Sequence, residues 1–377
     1  MSEPRWDYWW SLPGPSSCVR AVVEDLRNGT NVVMAFPQWA PPGLQEVIGR
    51  SMRDDELLRW RPLSVQLPQE IDPLHIIGHR YATDVPTQAL YDEGTLVDSR
   101  AFADCVVWVE GIEETAWPSW RGFLERYADL ARRRSAFERG VLCVQLIGQP
   151  PEQLPKSDVA LSVYRWQDYV GELDMLAWLH YLAGHQAVRS PIKRQLKLRL
   201  ALELVGYDPN LAIEAADLPL EALTDPVAWL RTIAVTRDWS EHMPPCWQTG
   251  SQSVIDGRPV IHPALRAVRQ RGPAEIHSLV WRAQVAVLFP YLEEARAHYL
   301  REYADSLRLP HDTGYGLMIH HREDLELSHI HHQLRHRVPQ KEQQRLRVLR
   351  DVRNALAHHQ ALDAQFLQEI VRLDLTG

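Results

Sequence analysis

Near its C-terminal end the chain carries the run Arg353-Asn354-Ala355-Leu356-Ala357-His358, in which four residues separate an arginine from a histidine. These residue types suit RNA cleavage without a metal. That reaction needs a group to take the 2′-hydroxyl proton, a cation beside the developing phosphorane and a proton donor for the leaving oxygen. Near its ordinary pKa, His358 can act as general acid or base at neutral pH. Arg353 supplies an always-charged fork that matches phosphate oxygens, and Asn354 is placed to position them. On a straight helix, residues five apart lie about 140° apart around the axis, so the pair would not share a face. A helix that ends or bends at the motif, or two protomers pairing across a two-fold axis, would resolve this.

Upstream, nine of the seventeen histidines fall between His311 and His359. Seven basic residues between Arg335 and Arg353 face only Glu342 and Asp351, so a local basic face coexists with a net charge of −8. His329, His332 and His336 stand at i, i+3 and i+7 of a predicted helix, with His331 beside them and His320-His321 upstream. His332 and His336 have the i, i+4 spacing of a zinc-chelating pair. No HExxH pattern or paired cysteines accompany them, and neither a metal nor a cofactor is expected. Two readings stay open. Arg335, Arg337, Arg345 and Arg347 with His332 and His336 extend an RNA-binding face, or they form a solvated helix face.

The elements that would hold these residues follow from the pattern. At 377 residues, 45% hydrophobic and 24% charged, the chain has the length for two domains with their own cores. Continuous apolar strands are expected at 31–36, 105–110, 140–148 and 160–164, with another at 63–67, interleaved with helical patterns. Such runs indicate a parallel α/β sheet covered on both faces. The pattern from about Val170 to Trp239 is helical, and the Pro/Gly/Ser-rich piece from Pro244 to Pro263 reads as a linker. Beyond it come a long helix over 274–307 that includes Pro290, then helices over 325–334, 340–358 and 363–373. The fold class expected is thus α/β plus all-α. The four widely spaced cysteines read as buried thiols, and most of the fourteen tryptophans as core. Trp9 and Trp10, beside Pro13 and Pro15, carry a second reading as an exposed partner-binding patch. No apolar run is long enough to cross a membrane, and no signal peptide opens the chain, so a cytoplasmic address is expected.

The segment from Pro263 to Gly377 resembles a HEPN helical bundle, on the strength of Arg353-Asn354-x3-His358 and the apolar-basic run Leu346 to Val352 before it. The resemblance implies a homodimer whose paired motifs form the active site. The order of elements in the first half resembles AAA+/STAND-type P-loop NTPases, with a helical lid. Aligned by position, Pro37 and Pro42 replace the glycines of the phosphate loop, Gly43 its lysine and Leu44 its hydroxyl residue. Pro37, Pro41 and Pro42 supply no N–H donor. Glu110 stands where a Walker B acid would be. The resemblance is to the architecture, and ATP hydrolysis is not expected. The domains expected are a P-loop-like domain over 1–170, a lid over 171–243, a linker over 244–262 and a HEPN-like bundle over 263–377. Such pairings resemble bacterial toxin and anti-phage proteins. The function expected is a metal-independent endoribonuclease acting on RNA, tRNA included. The alternative is a non-catalytic adaptor of a defence complex.

Overall fold

A computed structural model of the chain describes residues 6–372, apart from 54–57, 66–71, 87–89, 91, 136–137, 185–189, 256–257 and 315. The chain divides into two compact units. One comprises residues 1–178 and 244–262, the other 179–243 and 263–377.

The first unit runs α1 (Trp6–Ser11), α2 (Pro13–Arg27), β1 (Asn31–Phe36), α3 (Leu44–Arg53), β2 (Arg59–Ser64), α4 (Pro73–Tyr81), α5 (Glu93–Val97), β3 (Cys105–Glu110), α6 (Trp117–Ala131), β4 (Val141–Ile147) and β5 (Leu161–Arg165). The helix α7 (Glu172–Leu182) crosses the division between the units. The five strands form one parallel sheet in the order β2-β3-β4-β1-β5. All six residues of β1 are buried, which its unbroken apolar run requires. On one face, Val33, Ala35, Val107, Val109, Leu142 and Val144 share a core with Trp120, Phe123 and Tyr127 of α6, while α2 packs on β1, β4 and β5. Asn31 pins the start of β1 between its neighbours. Its fully buried amide donates to the Ala160 carbonyl at 3.0 Å and accepts from the Leu142 N–H at 2.9 Å.

The expectation for β2 needs correction. The strand lies at Arg59–Ser64 instead of 63–67, and Gln66 and Leu67 lie outside the described residues. An edge strand leaves its outer side chains in water, so Arg59, Arg61 and Pro62 carry no apolar run. The tryptophan patch is also overturned. Trp9 and Trp10 are buried, Trp9 against Trp166 and Trp178, and the Trp10 indole donates to the Pro42 carbonyl at 2.7 Å. Cys18, Cys105 and Cys143 are buried free thiols, with burial pushing Cys18 up to about 12. Cys246 is only half-buried.

Residues 244–262, expected as a linker, instead form the hairpin β6 (Gln252–Ile255) and β7 (Arg258–Ile261), grouped with the first unit. Trp247 at its entry joins the sheet core. The glycines and prolines there shape turns of a packed segment.

The second unit comprises α8 (Pro191–Leu204), α9 (Pro209–Asp217), α10 (Leu220–Thr224), α11 (Val227–Thr236), α12 (Pro263–Val268), α13 (Gly272–Glu302), the short strands β8 (His311–Asp312) and β9 (Met318–Ile319), α14 (Leu327–Leu334), α15 (Gln340–Ala357) and α16 (Ala364–Arg372). Of the residues expected as a separate lid, 171–243, those from 179 to 243 group with the C-terminal helices and 171–178 with the first unit. The 31-residue α13 continues through Pro290 and packs along α8, α14 and α15. At the start of α9, the buried Asp208 accepts from the N–H groups of Asn210 and Leu211 and pairs with Arg237. The chain is thus mixed α/β, with a five-stranded parallel sheet and many helices. Among the described residues, no helix is long and apolar enough to cross a membrane.

Candidate functional site

Helix α15 ends inside the arginine–histidine motif. Arg353 and Asn354 occupy its last turns, His358 is the C-cap, and His359 adopts a left-handed conformation with φ 58°. The Gln360 N–H reaches back to the Ala355 carbonyl at 2.9 Å and the His359 N–H to the Leu356 carbonyl at 3.2 Å. This is a Schellman closure, with histidine where glycine is usual. Leu356 and Val352 are buried on the inner face, so the apolar spacing of α15 leaves Arg353 and Asn354 half-buried and His358 exposed.

A stripe on α13 holds the chain just past the motif. The Trp281 indole donates to the Leu356 carbonyl at 2.8 Å, and its ring stacks on His359 at 4.3 Å between centroids. The Gln284 side chain is fully buried and bonds both the N–H and the carbonyl of Leu362, at 2.7 and 2.8 Å. His277 Nε2 accepts from the Ala361 N–H at 3.3 Å. These three residues stand at i, i+4 and i+7 on one face of α13, a polar stripe that sequence reasoning passed over. Its spacing was the available signal.

Arg353 does not meet His358. Its Nη2 donates to Glu326 at 2.7 Å, and no hydrogen bond among the described residues joins it to the histidine. The side chains of Asn354 and His358 have no hydrogen-bond partner among the described residues. Glu326 is the N-cap of α14. Its carboxylate accepts from the His329 backbone, and His329 Nδ1 accepts from the Glu326 N–H at 3.1 Å, closing a capping box with histidine in the third position. That bond places the ring proton of neutral His329 on Nε2. The His311 ring lies 5.2 Å from His329 and 6.3 Å from His332. Burial, then His311 and Arg353, holds His329 below the usual imidazole range. Burial and then Arg350 do the same to His331, whose Nδ1 lies 3.2 Å from the Arg350 guanidinium. Sequence reasoning missed the roles of Glu326 and His311. The Glu-x-x-His spacing ahead of an apolar run was the clue to Glu326.

The secondary residues scatter. Helix α14 stops at Leu334, so His336 lies in the following turn and the helical i, i+4 pairing of His332 with His336 does not form. Arg335 is the exposed C-cap of α14. Arg337 is exposed and donates to the Ser306 carbonyl at 2.5 Å. Arg347 is exposed and lies 3.9 Å from Asp351, which Arg350 grips at 2.6 Å. Arg345 is half-buried beside Tyr299 and lowers its phenol pKa, a contribution outweighed by burial and by Glu342. Among the described residues, no group of three or more His, Cys, Asp or Glu side chains has the geometry to hold a metal ion.

In the first unit, the stretch after β1 contains Trp39 and meets Trp10, whose indole donates to the Pro42 carbonyl. Gly43 has φ 84°, and the Trp39 indole abuts Gly250, where a Cβ would lie 2.7 Å from its nitrogen. Residues 37–44 include no lysine or arginine. At the end of β3, the Glu110 carboxylate accepts from the Trp108 indole at 2.9 Å. In comparison with known proteins, the chain matches no family model, no curated protein and no solved structure.

Proposed function

We propose that the chain is a metal-independent endoribonuclease of HEPN type. His358 is the general acid/base, Arg353 the phosphate ligand and Asn354 the positioning residue. The observation that carries this reading is the end of α15 within the motif. An exposed imidazole with no hydrogen-bond partner among the described residues stands beyond a half-buried arginine, on a terminus braced by Trp281 and Gln284. Glu326 engages only Nη2 of Arg353 among the described residues, so further N–H donors remain for phosphate. Because Arg353 and His358 are not joined within the chain, the complete site takes His358 from a second copy. The protein therefore acts as a homodimer on RNA, tRNA included, in the cytoplasm of a bacterium and as part of a defence or toxin system. The parallel sheet, with β1 between β4 and β5, supports kinship with P-loop NTPases. The lack of a lysine or arginine in residues 37–44 supports a regulatory role without ATP hydrolysis.

The test is cleavage of total RNA and tRNA in EDTA by wild type, Arg353→Ala and His358→Ala. Cleavage by wild type that both variants lose by about 10²-fold or more supports the reading, since each group supplies acid–base or charge stabilisation of that order. A mixture of the two variants should regain activity if one copy completes the other. Absence of cleavage in every arm favours a second reading, a non-catalytic adaptor of a defence complex. The Arg353–Glu326 pair is the observation on that side, because it gives the arginine a structural role at the α14 cap.

A further inference from the structure

A cavity of about 600 Å³ opens in the second unit, walled by the end of α7, the first turns of α8, the α9–α10 connection and Val371 of α16. Its size falls within the roughly 300–1,000 Å³ of small-molecule sites. The wall is about half polar; its apolar part is aliphatic, with Leu182, Leu198 and Leu220 among it and no aromatic ring. Lys193, Arg194 and Lys197 line one side.

Asp217 and Glu221 offset three cations with only two charges, Glu221 acting on Lys193 and Asp217 on Lys197. The cations sit in the first two turns of α8, where the helix dipole disfavours positive charge. Lys193 and Lys197 are also like charges at i, i+4. The Arg194 Nε is buried and has no hydrogen-bond partner among the described residues; only its Nη2 is engaged, by the Gly184 carbonyl. Two acids share the wall, Asp217 and Glu221, and neither forms an ion pair with these cations among the described residues. Glu221 is occupied by Gln368 at 2.8 Å. Burial holds Lys197 below the usual lysine range, opposed by Asp217 and reinforced by Lys193. An anionic group entering here would relieve the repulsion among the three cations, while an alkyl body would cover the leucines.

We propose that this cavity binds an aliphatic anion, its carboxylate or phosphate head on Lys193, Arg194 and Lys197 and its alkyl chain against the leucine wall. The absence of aromatic lining argues against a nucleobase, which would find nothing to stack upon.

The experiment is calorimetric titration of the full chain, below micelle concentration, with dodecanoate, dodecyl phosphate, dodecanol and inorganic phosphate. Saturation at one molecule per chain by dodecanoate, dodecyl phosphate or both is expected, and the two arms separate the head groups. Lys197→Glu should weaken the binding about tenfold or more, the equivalent of about 1.4 kcal/mol. Ala183→Trp fills the mouth from a partly exposed position and should abolish binding without lowering the thermal midpoint of unfolding. No saturation by either anion overturns the proposal, and so does dodecanol binding as tightly as the anions. Inorganic phosphate binding equally well removes the alkyl half of the assignment. Unchanged binding by Ala183→Trp places the ligand elsewhere. None of these outcomes depends on RNA cleavage.

Discussion

His359 holds a left-handed backbone conformation that favours glycine. A non-glycine side chain at φ 58° costs on the order of 1 kcal/mol, and the stack on Trp281 offsets part of it. His359→Gly should therefore change stability by less than about 1 kcal/mol in urea unfolding; under the proposed function it should leave RNA cleavage intact, whereas His358→Ala should abolish it. Equal loss by both would show that the wrong imidazole has been assigned. Trp281→Phe keeps the ring but removes the donor to the Leu356 carbonyl. It should cost about 1–2 kcal/mol and speed amide exchange at the end of α15. On the same helix end, Glu326→Gln retains an oxygen to cap α14 and releases the Arg353 charge. RNA binding should tighten two- to fivefold, about 0.5–1 kcal/mol, as expected for removal of one partly exposed competing carboxylate; weaker binding would mean that Glu326 orients Arg353 for substrate.

Whole elements respond to conditions through their caps. The α14 capping box requires an unprotonated Nδ1 on His329, and burial keeps both His329 and His331 below the ordinary imidazole pKa of 6.5. The unfolded chain therefore takes up these protons first. Its stability contribution is present above pH 6.5 and lost as the pH falls toward the folded-state values. Urea midpoints should drop from pH 7.5 to 5.5, and a His329→Asn, His331→Asn double variant should show a flatter slope. In the sheet, Asn31→Ala leaves the buried Leu142 N–H without its acceptor and should cost about 1–3 kcal/mol. β1, β3 and β4 were legible as apolar runs because both their faces are covered. β2 was not, because a sheet edge with water on one side demands only that Leu63 point inward.

For the molecule as a whole, each unit is built from two separate stretches of the chain. Residues 244–262 belong to the first unit, so the Trp247 indole is core contributed from far along the chain. Trp247→Ala should destabilise that unit by about 3–5 kcal/mol, read as a lower urea midpoint from the tryptophan fluorescence. A midpoint unchanged within error would show that the hairpin is dispensable. Composition pointed to a linker here because glycine and proline mark hairpin turns and exposed connections alike.

Periodicity and residue type alone determined the mixed α/β class, the central strands, the long C-terminal helices and the run from Arg353 to His358. Each of these is written locally, in the spacing of apolar side chains or in adjacent residues. Only the tertiary structure decided that Arg353 turns to Glu326, that Trp281, Gln284 and His277 hold the end of the motif, and that Trp9 and Trp10 are core. Those outcomes depend on contacts between residues distant along the chain. The partner of a guanidinium or an indole is chosen by which backbone groups and charges the packed helices bring within about 3 Å, and spacing along a single helix carries no record of that.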